Sequence, residues 1–292
     1  MTYSCGYRTV NVGGGHGNEN FPMMVMYPAL SPEKTEALGP YRLDVSADAP
    51  VADGTFSLVL ISHGSGGSPI LYRLLARHLA RNGFIVGMPE HPCNNRLDNS
   101  LEGTVEILIA RPRHLHNAAV WFYGNPEFTE RLKPDTLHVA GHSLGGYTAL
   151  ALAGGVPTPF PEKVSELSLE TLDVQKDSRV KSLVLLAPAT VWFRGKKALQ
   201  DVHAPILMFF GDQDEETPYA EHGRPLLEGL PKDTDICCRI VKNGGHFSFL
   251  GPYPETMAKP SFLPSQDPPG FDRAAFHDRL NAEVLEFLRK YE

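Results

Sequence analysis

The run Gly141-His142-Ser143-Leu144-Gly145-Gly146 sets a serine in a G-x-S-x-G pattern. A short strand pattern at 136–140 precedes it, and an Ala/Leu-rich helical pattern at 144–153 follows. In that context a sharp strand-to-helix turn lifts a serine hydroxyl above a sheet edge, where it can act as a nucleophile. A turn this tight strains the serine backbone and crowds its neighbours, so side chains at Gly141 and Gly145 would clash. It also sets the Leu144 N–H at a helix start, pointing into the same space.

A serine hydroxyl is a weak nucleophile and needs a base. The expected base is a histidine after the last strands, with an acid earlier in the chain. Of the twelve histidines only His246 has that position, in Asn243-Gly244-Gly245-His246 after the strand pattern Ile236–Val241. The acid belongs in Gly211-Asp212-Gln213-Asp214-Glu215-Glu216-Thr217-Pro218, which follows a strand pattern at 206–210. Asp214 is preferred, three residues past Gly211 and shortly before Pro218. Asp212, which suits capping the turn through its own backbone, is the runner-up, and Glu215 and Glu216 stay open. His63-Gly64-Ser65-Gly66-Gly67 follows the strand pattern Phe56–Ser62, where a backbone N–H can meet an oxyanion. The expected donors are the Ser65 and Leu144 N–H groups, with Gly66 the alternative to Ser65.

Other histidines read as structural. His63, His91 and His142 sit near strand ends and suit hydrogen bonding, and His114 and His116 flank Leu115, a poor metal-ligand spacing. No Cys/His cluster suggests a metal, and no cofactor is expected. The glycines at 13–15 and 17 lack the Lys-Ser/Thr ending of a phosphate loop and read as a turn.

The elements that must carry these residues alternate. Strand patterns fall at 6–12, 21–27, Phe56–Ser62, 83–88, 136–140, Val180–Leu186, 206–210 and Ile236–Val241. The continuous apolar runs among them suit strands covered on both faces. Helical patterns fall at 70–81, 101–123 (interrupted near Pro112), 144–153, 219–230 and 272–291. Such alternation predicts an α/β fold, a mostly parallel central sheet with helices on both faces. One domain over 1–292 is expected. The stretch 31–53 reads as a surface excursion, 155–178 as a cap or excursion, and the Pro-rich 251–270 as a loop that binds or covers something. Leu71, Trp192, Phe193, Phe247 and Phe249 are candidate pocket residues, with Trp192 and Phe193 the best of them because they follow Ala187-Pro188-Ala189.

The formal net charge of −7, with no Lys/Arg cluster, argues against nucleic acid or an anionic membrane as partner. No apolar run reaches the ~18–20 residues that span a bilayer, and the N-terminus lacks a basic region followed by an apolar one. Cys5, Cys93, Cys237 and Cys238 read as free thiols in a reducing compartment, so a cytoplasmic location is expected. Oligomeric state is not readable.

The motifs Ser62-His63-Gly64-Ser65-Gly66-Gly67-Ser68, Pro89-Glu90-His91-Pro92, Gly141 to Gly146, Gly211…Asp214…Pro218 and Gly245-His246-Phe247-Ser248-Phe249-Leu250 occur in one order. Together with Val25-Met26-Tyr27-Pro28-Ala29, the chain resembles the predicted dienelactone hydrolases of the α/β-hydrolase fold. These are similar to platelet-activating-factor acetylhydrolases and to bacterial polyester-cleaving esterases. The resemblance implies the triad Ser143, His246 and Asp214, the oxyanion loop at Ser65, and cofactor-free hydrolysis of a small or short-acyl carboxylic ester. Dienelactone hydrolases proper use a cysteine where this chain has Ser143, so lactone opening is not implied. Hydrolysis of an amide, peptide or thioester with the same triad is the alternative. A non-catalytic binding protein would leave the intact triad unexplained.

Overall fold

A computed structural model describes residues 2–13, 20–159 and 171–292. Its strands are β1 (Ser4–Val12), β2 (Phe21–Ala29), β3 (Lys34–Leu38), β4 (Tyr41–Ala47), β5 (Phe56–Ser62), β6 (Phe84–Pro89), β7 (Leu132–His142), β8 (Val180–Leu186), β9 (Ile206–Gly211) and β10 (Ile236–Val241). They form one sheet in the order β10-β9-β8-β7-β5-β6-β2-β1-β4-β3. From β10 to β6 every neighbouring pair is parallel, and β2 then pairs antiparallel with both β6 and β1. The helices are α1 (Arg73–Arg81), α2 (Val105–Gly124), α3 (Pro126–Thr129), α4 (Leu144–Leu152), α5 (Arg224–Gly229) and α6 (Arg273–Lys290).

Alternation along the strands splits the core into two layers. Leu58, Leu60, Leu183 and Leu185 pack with Leu115 and Phe122 of α2 and Leu150 of α4. Val59, Ile61, Val184 and Leu186 point the other way, onto Leu75 and Leu79 of α1 and Phe276 and Leu280 of α6. Residues successive in a strand face opposite sides, so a strand buried on both faces must be apolar throughout. β5 is buried at all its positions for this reason.

Four expectations about the elements need correction. The stretch 31–53 is not an excursion, because β3 and β4 form a hairpin there that extends the sheet. Tyr41, Leu43 and Val45 are buried while Arg42 and Asp44 are exposed, a period of two that outweighs the Pro, Asp and Ala content. β10 is not a fully buried strand, since it forms the sheet's outer edge and leaves Ile240 52% exposed. The helical stretch at 219–230 divides into a π-helical turn, Tyr219–Gly223, and the short α5. Part of the glycine turn at 13–17 and residues 160–170 of the expected cap lie outside the described residues. Near that gap, the N–H of Leu172 donates to the carbonyl of Pro157 at 2.8 Å.

α2 is continuous, although Pro112 predicts a break. A mid-helix proline has no N–H, so the carbonyl four residues earlier loses its partner. Here that carbonyl belongs to Leu108, and the buried Tyr147 hydroxyl of α4 donates to it at 3.0 Å. The single helix carries Arg111 to the His63 carbonyl and His114 to His91, beneath the site. Tyr147→Phe should lower stability by about 1–3 kcal/mol, the usual penalty for an orphaned buried acceptor. In a Pro112→Ala background the loss should shrink, because an alanine at that position restores the missing N–H. Urea unfolding of the four proteins in a double-mutant cycle measures this, and equal losses in both backgrounds would refute the compensation.

Candidate active site

The turn between β7 and α4 has the expected strain. Ser143 has φ 55° and ψ −122°, a region that disfavours a residue with a side chain. Its backbone is held on both sides, the N–H donating to the Leu186 carbonyl at 3.0 Å and the carbonyl accepting from Gly146 at 2.8 Å and Ala189 at 2.9 Å. A Cβ on Gly141 would lie 2.0 Å from the Gly145 carbonyl oxygen, and one on Gly145 would lie 2.0 Å from that of Ser62. No L side chain fits either place.

The acid and the histidine converge from two loops at the same sheet edge. A Cβ on Gly211 would lie 2.1 Å from the Gly244 carbonyl oxygen, so the loops after β9 and β10 pass in contact. Asp214 Oδ2 is 3.0 Å from His246 Nδ1, and both residues are buried. Asp214 Oδ1 accepts the Glu216 and Thr217 N–H groups at 2.9 and 2.8 Å. The Thr217 hydroxyl lies 2.8 Å from Asp214 Oδ2 and 3.2 Å from His246 Nδ1. Burial alone pushes the Asp214 carboxyl up, but His246 and the Thr217 donors outweigh it and hold it below the usual carboxylate range. Asp212, Glu215 and Glu216 are exposed. Glu216 reaches the cavity rim beside Ser143 and His246.

His142 sets the position of His246 by a hydrogen bond to its backbone. Nε2 of His142 is 2.9 Å from the His246 carbonyl oxygen, which only accepts, so Nε2 carries the proton. Nδ1 then accepts from the Tyr72 hydroxyl at 3.0 Å. Burial and the adjacent His246 hold the His142 pKa down at about 3, so the ring stays neutral.

The loop after β5 is braced from beneath by Arg111, which is fully buried. Its guanidinium donates to the His63 carbonyl, to Ser62 Oγ at 3.2 Å, to Asn94 Oδ1 at 2.6 Å and to Thr148 Oγ1 at 3.0 Å. Asn94 in turn donates to Ser65 Oγ at 2.9 Å. His63 Nδ1 donates to the Gly64 carbonyl at 2.7 Å while its Nε2 accepts the His91 N–H at 3.1 Å. Gly64 abuts the Ser143 turn, where an added Cβ would lie 3.2 Å from Ser143 Cβ. Ser65 and Ser143 line the same cavities, and Leu144 lines one of them. His63, His91 and His142 are thus hydrogen-bonding residues, as their positions at strand ends suggest.

Of the five candidate pocket residues, Leu71 and Phe247 line the cavity of 360 Å³ beside Ser143 and His246, and Trp192 lines a second of 610 Å³. Phe193 and Phe249 are core instead, 4% and 1% exposed, and Phe193 stacks on Tyr147. Sequence reasoning passed over Thr217, Tyr72 and Arg111. Arg111 had a signal, since it stands three residues after Leu108 and four before Leu115 on the apolar face of α2. Among the described residues no group of three His, Cys, Asp or Glu could hold a metal, and no helix is long and apolar enough to cross a membrane.

The buried neutral histidines predict acid lability. Burial lowers His63 and His142 to about 3, His138 and His277 to about 4, and His91 well below the usual histidine value. Below about pH 6.5 the unfolded chain takes up protons that the folded one refuses, so stability falls as pH falls toward the folded values. Each group contributes a slope of about 1.4 kcal/mol per pH unit in that window. The urea midpoint should be level near pH 7–8 and drop steeply between pH 6 and 4. A midpoint unchanged down to pH 4 would contradict the neutral network.

With the geometry in place, likenesses to known proteins can be set beside it. A family model described as Chlorophyllase matches residues 30–172. A bis(hydroxyethyl) terephthalate hydrolase of Streptomyces coelicolor is 28% identical over 197 residues, 68% of this chain and 52% of its own length. Cutinase est1 of Thermobifida alba is 25% identical over 201 residues, 68% of this chain and 56% of its own length. The match thus spans little more than half the length of these relatives. Chlorophyllase-1 of Citrus sinensis is 33% identical over 107 residues, 36% of this chain and 30% of its own length. The solved structure of a ferulic acid esterase from Streptomyces cinnamoneus superposes with a TM-score of 0.70 at 18% identity, over 100% of this chain and 91% of that one, a likeness of fold. Sheet order, the strained serine turn and the structural likeness show that the chain has the α/β-hydrolase fold.

Proposed function

We propose that the chain is a serine hydrolase of carboxylic esters, working through an acyl-enzyme on Ser143. The observation that carries this reading is the buried Asp214–His246 pair opening onto the same cavity as a serine held at φ 55°. His246 takes the proton of Ser143 as its oxygen attacks the ester carbonyl. The N–H groups of Leu144 and Ser65, with Gly66 the alternative to Ser65, meet the oxyanion. Collapse breaks the bond to the alkoxy oxygen, which leaves as the alcohol with the proton from His246. Water, deprotonated by His246, then attacks the acyl carbon, and the acid departs as Ser143 regains its proton. Asp214 keeps Nδ1 protonated and Nε2 free for this exchange, and stabilises the imidazolium. The chemistry asks for no metal or cofactor.

The named activities of the curated relatives favour an ester over an amide or thioester, since terephthalate-ester hydrolase and cutinase both cleave esters. The likenesses are to esterases of the cutinase, chlorophyllase and ferulic acid esterase kind, and not specifically to the dienelactone hydrolases or platelet-activating-factor acetylhydrolases that the motifs resemble. The free thiols suit a reducing compartment, and we place the enzyme in the cytoplasm.

Ser143→Ala should lower turnover of p-nitrophenyl esters by about four orders of magnitude or more while the protein stays folded. Asp214→Asn should lose about 10⁴-fold in kcat. Assaying both beside p-nitroanilides checks the reaction class. Anilide cleavage without ester cleavage would replace this reading with an amidase, and an active Ser143→Ala would remove the triad.

A further inference from the structure

The two cavities that meet at Ser143 differ in what builds them. They share Ser143, His246, Ser65, Glu102 and Glu216, so a carbonyl at Ser143 faces both. The first is walled by Tyr41 of β4 and by Tyr253, Met257, Phe262 and Pro264 of the Pro-rich segment 251–270. The second is lined instead by Leu108 of α2 and by Pro159, Ala189, Val191 and Trp192.

The Pro-rich segment has little regular structure, yet two buried arginines clamp it. Arg73, 6% exposed, donates to the Pro252 carbonyl at 2.6 Å and lies 4.3 Å from the centre of the Tyr41 ring. Arg273, also 6% exposed, donates to the carbonyls of Pro264 and Gln266 at 3.0 Å each and to Asp267 Oδ1 at 2.8 Å. The first clamp stands on α1 and the second on α6. Between them Tyr253 meets Phe262 edge to face at 5.2 Å and Tyr41 at 6.4 Å. A loop rich in proline loses little entropy on ordering, and these fixings give it the stiffness of a wall. The wall residues Tyr253, Met257, Phe262 and Pro264 carry no charge, while Arg96, Glu102 and Glu216 elsewhere in the lining leave a net negative charge that disfavours an anionic group.

We propose that segment 251–270 builds a chamber for an uncharged apolar or aromatic group on one side of the scissile ester, and that the Trp192 cavity takes the group on the other side. The substrate class is then an ester with a sizeable apolar portion on both its acid and its alcohol. This rests on Ser143 being the nucleophile, and it replaces the expectation of a small or short-acyl ester. The volumes of 360 and 610 Å³ lie in the range of small-molecule sites. Aromatic walls suit flat or flexible hydrocarbon, with edge-to-face contacts adding to area burial.

Two matched ester series separate the chambers: methyl esters of lengthening or aromatic acids, and acetates of lengthening or benzylic alcohols, followed by acid release. The quantity read is the ratio of kcat/KM for the largest member to that for methyl acetate. In the wild type this ratio should exceed one in both series. Phe262→Ala and Met257→Ala, both partly exposed, should lower it by about tenfold in one series only, and Trp192→Ala in the other only. Wall and Trp192 variants lowering the ratio in the same series, or neither lowering it in any, would overturn the two-chamber assignment. Methyl acetate turnover surviving Ser143→Ala would instead overturn the nucleophile, a distinct failure.

Discussion

Where β5 and α4 pass at the sheet edge, the Ser62 carbonyl and the Cα of Gly145 leave no room for a methyl group. That close approach is the constraint on which the site rests. It allows the chain to turn from β7 into α4 within one residue, and Ser143 takes up the resulting strain at φ 55°. Strain of this kind persists only where surroundings over-determine it. Here hydrogen bonds to Leu186, Gly146 and Ala189 fix the Ser143 backbone, and Gly64 presses against it from the neighbouring loop. The parallel order β9-β8-β7-β5 then brings the loops that carry Asp214, Ser143 and Ser65 to one edge of the sheet. The loop after β10, with His246, joins them there through the contact between Gly211 and Gly244.

A second layer of polar residues lies beneath these loops. Arg111 is a buried cation braced by the neutral acceptors His63 O, Ser62 Oγ, Asn94 Oδ1 and Thr148 Oγ1, and burial lowers its pKa to about 9. A buried charge is costly unless hydrogen-bonded, so these partners hold one another in register. α2 presents Arg111 there with the Tyr147 hydroxyl standing in for the N–H that Pro112 lacks. His142 and Tyr72 do for His246 what Arg111 does for the loop after β5, with neutral groups in place of a charge.

Local pattern was enough to read the strand–turn–helix at Ser143, the Asp214 and His246 loops and most of the alternating elements. Each of those is announced by residues close in sequence: glycines at a turn, an apolar run, an acid before a proline. What escaped was set by contacts distant in sequence. Pro112 looks like a break until Tyr147, 35 residues on, is seen to supply the missing donor. The β3–β4 hairpin was hidden by composition, though Tyr41, Leu43 and Val45 alternate cleanly. Phe193 and Phe249 look like pocket residues by position, yet stacking on Tyr147 and packing on Phe276 draw them into the core. The clamps of Arg73 and Arg273 on the Pro-rich segment join elements that no short window contains together.

In the proposed reaction Ser143 alone carries the acyl group. Intact-mass and peptide mass spectrometry after brief reaction with a fluorophosphonate, and separately with a slowly deacylating ester, tests it most directly. One adduct per chain is expected, on the peptide containing Ser143, with its near absence in His246→Ala. An adduct on another residue, or ester turnover in a protein whose Ser143 stays unmodified, would contradict it.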